Sequence, residues 1–250
     1  MALLMTTFCR RSLVAFSMVV ACALLLPNTA VGQAITADRP GFGDGASVLA
    51  PGTVQLGGGA VAATDDFGAN GEIGQLLLRY GVTDVLELRG GIGSVAVDAP
   101  DLEYTGTSLG AKLRLVQQPA STVSLVSSWS LPTGSGTFTA DVVSQTLRLA
   151  VDGALGEDLT LSVNGGATVP YGDGDPIYEF IPTLSIAVNE TVGTYVGYAG
   201  FYTDGANANF VEAGVTLLSS LDTQLDLNTG LQIDENGDAF FIGAGIAHRF

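Results

Sequence analysis

The chain has 250 residues, 47% of them hydrophobic, and carries 25 acidic residues against nine basic ones, a net charge of −16. That balance excludes a nucleic-acid-binding protein, which needs a basic surface to displace phosphate counterions. Apolar residues recur along the whole length, which excludes a disordered chain.

The first predicted element is an export signal. Arg10 and Arg11 precede an apolar run from Ser12 to Leu26, followed by small residues at Ala30, Gly32 and Ala34. A basic start, an apolar middle and a small-residue end are the marks of a cleaved secretory signal, assigned here to residues 1–32. The paired arginines also resemble a twin-arginine signal, loosely. Val19-Val20-Ala21-Cys22 offers a rival lipoprotein reading, but Ala23-Leu24-Leu25-Leu26 carries the apolar run past the cysteine. Both cysteines, Cys9 and Cys22, lie in this segment, so the expected mature chain has no disulfide, thiolate nucleophile or cysteine-held metal. Losing Arg10 and Arg11 leaves seven bases against 25 acids, a mature charge of about −18.

Residues 33–51 are poor in apolar side chains and hold Pro40, Pro51 and several glycines. An irregular N-terminal lead is expected there, packing at or entering one mouth of the domain that follows. After residue 35 no stretch approaches the roughly 20 apolar residues of a spanning helix. An exported, apolar chain without such a helix is either a soluble β protein or a β-barrel in an outer membrane.

Residues 52–250 read as about twelve segments of about ten residues, the length of a tilted membrane strand. They fall near 53–63, 72–80, 85–96, 106–117, 121–131, 141–152, 158–169, 177–188, 191–202, 209–218, 222–233 and 239–250. In 223–233, Leu225, Leu227, Thr229, Leu231 and Ile233 share one face, and Gln224, Asp226, Asn228, Gly230 and Gln232 the other. In 158–169, Leu159, Leu161 and Val163 oppose Thr160, Ser162 and Asn164. The last segment sets Phe240, Ile242, Ala244, Ile246, His248 and Phe250 against mostly small residues and Arg249, and closes on an aromatic. A soluble sandwich would alternate too, but its outer face should be charged. The expected fold is all-β: a transmembrane, antiparallel, up-and-down β-barrel of about 12 strands in a Gram-negative-type outer membrane.

The connections alternate as well. One set is short, such as Gly81 to Asp84 and Asn189-Glu190. The other is mostly longer and acidic, such as Pro132 to Ala140 and Asp234 to Asp238. Short periplasmic turns and longer outer loops give this pattern, and an even strand count puts both barrel ends at the periplasm. Asp234-Glu235-Asn236-Gly237-Asp238 resembles a calcium loop only superficially, since the EF-hand spacing and closing Glu are missing. Asn236-Gly237 is better read as hairpin-turn chemistry.

Of the seven mature bases, all but Arg39 fall on inward faces, as lipid requires. The candidate lumen-lining residues are Arg79, Glu87, Arg89, Lys112, Arg114, Arg148, Glu179, Glu212, Asp226 and Arg249. They serve either as ion pairs that fill a narrow barrel or as a selectivity zone, with the bases gathered towards the periplasmic mouth. The inward faces are otherwise rich in Gly, Ser and Thr, and few large side chains point in. That leaves room for a narrow channel. No catalytic residue, cofactor or metal site is expected. The lone histidine, His248, faces outward at the periplasmic end.

Two stretches resemble a known family. Thr36-Ala37-Asp38-Arg39-Pro40-Gly41-Phe42 with Pro51-Gly52-Thr53-Val54-Gln55-Leu56 is similar to the opening of the MetA-pathway phenol-degradation, or transporter-like, outer-membrane proteins. Arg79-Tyr80-Gly81-Val82-Thr83-Asp84-Val85-Leu86-Glu87-Leu88-Arg89 resembles that family's first periplasmic hairpin. The resemblance implies a transporter or channel for small molecules, small organic or aromatic compounds among them. The expected function is passive passage of small solutes. The expected partners are outer-membrane lipids, the solute and the barrel assembly machinery. A non-conducting structural or adhesive barrel and a barrel-borne hydrolase are the alternatives.

Overall fold

The computed structural model describes residues 35–65, 68–98, 101–234 and 239–250. The signal-peptide reading and most of the Asp234–Asp238 loop lie outside the described residues. From Val54 onward nearly everything is strand, in one antiparallel sheet. The strands are β1 (Val54–Asp65), β2 (Gly68–Gly81), β3 (Leu86–Ile92), β4 (Val95–Asp98), β5 (Asp101–Tyr104), β6 (Thr107–Gln118) and β7 (Ser121–Ser130). There follow β8 (Ser144–Ala154), β9 (Leu159–Pro170), β10 (Ile177–Ala187), β11 (Val192–Thr203), β12 (Ala206–Ser220), β13 (Thr223–Gln232) and β14 (Phe240–Arg249). Each strand pairs with its neighbour in sequence, and β1 pairs with both β2 and β14, so the sheet closes. Closure leaves no sheet edge, which is the condition for strands to cross lipid.

One expected segment is interrupted and the next is extended by a separate short strand. The stave expected at 85–96 is β3 followed by β4, both paired with β2. Its neighbour is β6 continued by β5. The barrel therefore has 12 staves. The interruption begins in β2, where Gly74 (φ +129°) and Gln75 (φ +48°) form a bulge against β1, the register shifting between Gly57 and Gly59. An extra residue must be absorbed by the next staves. The breaks do so together: Ser94 N donates to Thr105 Oγ1 at 2.7 Å, and Thr105 N donates back to Ser94 O at 3.0 Å. Gly93 and Gly106 lie at these breaks within the wall.

The alternation resolves into an apolar outside and a polar inside. Leu227 is 61% exposed, and Leu78, Leu88, Leu109, Leu217, Leu225 and Ile242 share its lipid face. Glu87, Lys112, Ser124, Asn164 and Asp226 are buried inside. The outer connections are less uniformly long than expected. Residues 131–143 form a long loop, but β11 and β12 are joined by Asp204 and Gly205 alone.

Candidate functional site: a lumen filled by the N-terminal segment

Residues 35–53 form no strand and run inside the barrel. Ile35 N donates to Leu221 O in the β12–β13 turn, so the segment enters at the periplasmic end. It climbs to Phe42 and descends to Gly52, whose N–H donates to Gly81 O at 2.8 Å. Such a backbone in a lumen must find partners for its own polar groups. The inward faces supply them. Asn164 brackets Asp44, accepting its N–H at 2.9 Å and donating to its carbonyl at 3.0 Å. Asp152 accepts the Ala46 N–H at 2.7 Å, and Ser124 Oγ donates to the Ala46 carbonyl. Glu87 accepts the Leu49 N–H at 3.0 Å. On the ascending limb, Gln55 donates to Thr36 O at 3.3 Å and Gln224 to Arg39 O at 3.0 Å.

Charge holds both limbs, through Asp38 on the ascending one and Asp44 on the descending one. Asp38 lies 2.9 Å from Lys112, 3.1 Å from Arg89 and 3.5 Å from Arg79. Arg79, only 1% exposed, also forms a fork with Glu87 at 2.7 and 2.8 Å and donates to Thr36 O at 2.7 Å. Asp44 bridges Arg89 at 2.7 Å and Arg148 at 2.6 Å, and Arg148 forks onto Glu179. Burial alone would raise the Asp44 carboxyl, but Arg89 and Arg148 hold it well below the usual carboxylate range. Asp38 is likewise lowered against its burial by Arg79, Lys112 and Arg89.

The expected candidates thus separate. Arg79, Glu87, Arg89, Lys112, Arg148 and Glu179 meet in one network with Asp38 and Asp44. They do not form an open basic zone, because each base is paired. Glu212 accepts the Phe42 N–H at 3.2 Å and the Tyr195 hydroxyl at 3.3 Å. Asp226 faces Arg39 at 3.4 Å. Arg114 stays outside these contacts, half-buried where the β6–β7 register shifts. Arg249 lies at the rim, 2.7 Å from Asp222.

Two features run against expectation. Large side chains do point in: Phe42 packs on Phe201, Phe210 and Phe241, with ring centroids 5.7, 5.3 and 5.6 Å away. Glycine-lined space is also occupied. A methyl group at Gly59 or Gly245 would overlap the Arg39 guanidinium. The polar clamps Asn164, Ser124 and Gln224 were legible as inward-facing positions, but nothing in their pattern names a backbone as their partner. His248 lies as expected on the outer face, its Nδ1 2.8 Å from Thr223 Oγ1 and its ring against Phe250.

Comparison with known proteins agrees with this architecture. An outer membrane channel of the COG4313 group from Pseudomonas putida F1 superposes with a TM-score of 0.66 at 15% identity, over 85% of this chain and 100% of that one. The KdgM porin in complex with disordered oligogalacturonate gives 0.57 at 10% identity, covering 79% and 99%. The NanC porin gives 0.54 at 7% identity, covering 78% and 98%. At these identities the likeness is one of fold, that of outer-membrane barrels. No curated protein matches the chain in sequence. Residues 37–250 match the family described as "Putative MetA-pathway of phenol degradation", spanning the lumen segment and the whole barrel, and the chain belongs to that family.

Proposed function

We propose that this outer-membrane barrel is a narrow passive channel for small solutes, small organic compounds included, and that its N-terminal segment narrows the path without sealing it. The observation that carries this reading is the exposure along the ascending limb. Thr36 near the periplasmic mouth and Gly41 near the apex are exposed, while Ala46, Val48 and Leu49 of the descending limb are buried. Solvent therefore reaches the segment at Thr36 and Gly41 and again where it leaves the lumen at Ala50, while the stretch from Ala46 to Leu49 is largely closed off. A polar wall with paired charges suits diffusion without a tight binding step. Planar-bilayer recording of the folded protein tests it: small, discrete conductance steps are expected, and a folded protein that never conducts would refute it.

The tight charge network favours a second reading, a permanently filled structural barrel, and the same recording separates the two. A hydrolytic role is not proposed. The lone imidazole is engaged by Thr223 and Phe250 on the outer face, away from the lumen. Outer-membrane lipids contact the apolar belt. The barrel assembly machinery is the proposed reader of Phe250, which is 73% exposed at the end of the closing strand.

A further inference from the structure

We propose that Arg39 is the movable bar of the passage and that the Arg39–Asp226 pair sets its ion selectivity. The inference rests on the channel reading above. Three of the arginines inside the barrel, Arg79, Arg89 and Arg148, each bridge two carboxylates, with at least one contact of 2.7 Å or less. Arg39 meets a single carboxylate, with Nε and Nη2 both 3.4 Å from Asp226. Its Nη2 contact to Ala244 O is 3.5 Å, and only Gln75 Oε1, at 2.8 Å from Nη1, is close. Its side chain is 15% exposed, whereas that of Asp226 is fully buried. An arginine fork held by one long ion pair and one neutral amide is anchored more weakly than Arg79, Arg89 or Arg148.

The surroundings fit a side chain that moves. The guanidinium lies against Gly59 and Gly245, positions where any Cβ would collide with it. If Arg39 swings away, those glycines leave open space instead of a side chain that could follow it. Gln75 reaches Arg39 from the β2 bulge, so the one short contact comes from the irregular part of the wall. Arg39 also lies between Thr36 and Gly41, which solvent reaches, although its neighbour Asp38 is held by three bases.

The pair makes a prediction of sign. Removing the Arg39 charge leaves Asp226 unpaired in the path, which favours cations. Removing the Asp226 charge leaves Arg39 unpaired, which favours anions. The test is bilayer recording of heat-modifiable, folded parent, Arg39→Ala, Arg39→Lys and Asp226→Asn proteins. Arg39→Ala should raise conductance about twofold or more and shift the reversal potential towards cations. Asp226→Asn should shift it towards anions, and Arg39→Lys should restore the parent selectivity. If Arg39→Ala does not fold, Arg39→Gln removes the charge while keeping a partner for Gln75. Shifts of the same sign in both variants, or no shift in either, would overturn the proposal. A variant lacking residues 35–50 distinguishes the two failures. If it conducts while Arg39→Ala behaves as the parent, the bar is wrong and the channel stands. If it folds and does not conduct, the channel reading falls and the inference with it.

Discussion

Asp44 Oδ2 lies 2.6 Å from Arg148 Nη1, an ion pair that joins the N-terminal segment to β8 across 104 positions of sequence. Its partners extend it: the same carboxylate holds Arg89, and the same guanidinium holds Glu179. Removing Asp44 takes one of two carboxylates from each arginine, and a buried charge that loses part of its compensation costs more than the pair contributes over an apolar substitute.

Asp44→Ala should therefore loosen the descending limb, at a cost below the roughly 3–5 kcal/mol of a fully orphaned buried charge, because Arg89 keeps Asp38 and Arg148 keeps Glu179. The expected outcome is a lower transition temperature in the gel-shift assay of folded barrel and a larger, noisier conductance. An unchanged transition would mean that Asp38 and the backbone clamps hold the segment without Asp44.

Facing gives the second prediction. Leu227 is on the lipid side and Asn228 beside it is on the lumen side, near Asp226 and Tyr195. Leu227→Arg should cost about 2–4 kcal/mol near the bilayer midplane and lower the yield of inserted protein. Asn228→Arg should insert at the parent level. Equal yields would contradict the register of β13.

The apex gives the third. Phe42→Ala removes three ring contacts, each worth about 0.5–1.5 kcal/mol beyond the area it buries. Liposome swelling with apolar solutes of increasing size should show a raised size limit. Unaltered swelling rates would place the limiting constriction below Phe42.

Gly81 supplies the fourth. A Cβ there would collide with the carbonyls of Ala50 and Leu49, and neither backbone can move aside while Gly52 is bonded to Gly81. Gly81→Ala should slow refolding in detergent or lower the folded yield, whereas Gly90→Ala, with nothing near its added carbon, should leave both unchanged. Equal behaviour of the two variants would remove the turn from the contacts that seat the segment.

The barrel was legible because lipid imposes a period of two on every stave: Leu225, Leu227 and Leu231 could face only outward, with Gln224 and Asp226 inward. The breaks at Gly93–Ser94 and Thr105–Gly106 were not. They answer a bulge at Gly74–Gln75 in the adjoining stave, and a local pattern carries no record of its neighbour's register. The site was legible in half. The inward charges could be named, since lipid excludes them. Their partners Asp38 and Asp44 sit on a segment without periodicity, so no alternation could direct them into the lumen. Small inward residues implied space, but space in a narrow barrel can hold chain as readily as water, and here Arg39 fills the slot beside Gly59 and Gly245.

The most direct measurement compares single-channel conductance of the folded protein with that of a variant lacking residues 35–50, under identical salt. The parent should give small, discrete steps and the variant steps several-fold larger, as a 12-stave barrel relieved of its filling requires. Equal conductance in the two, or a folded variant that conducts nothing, would contradict a passage narrowed by the protein's own N-terminal segment.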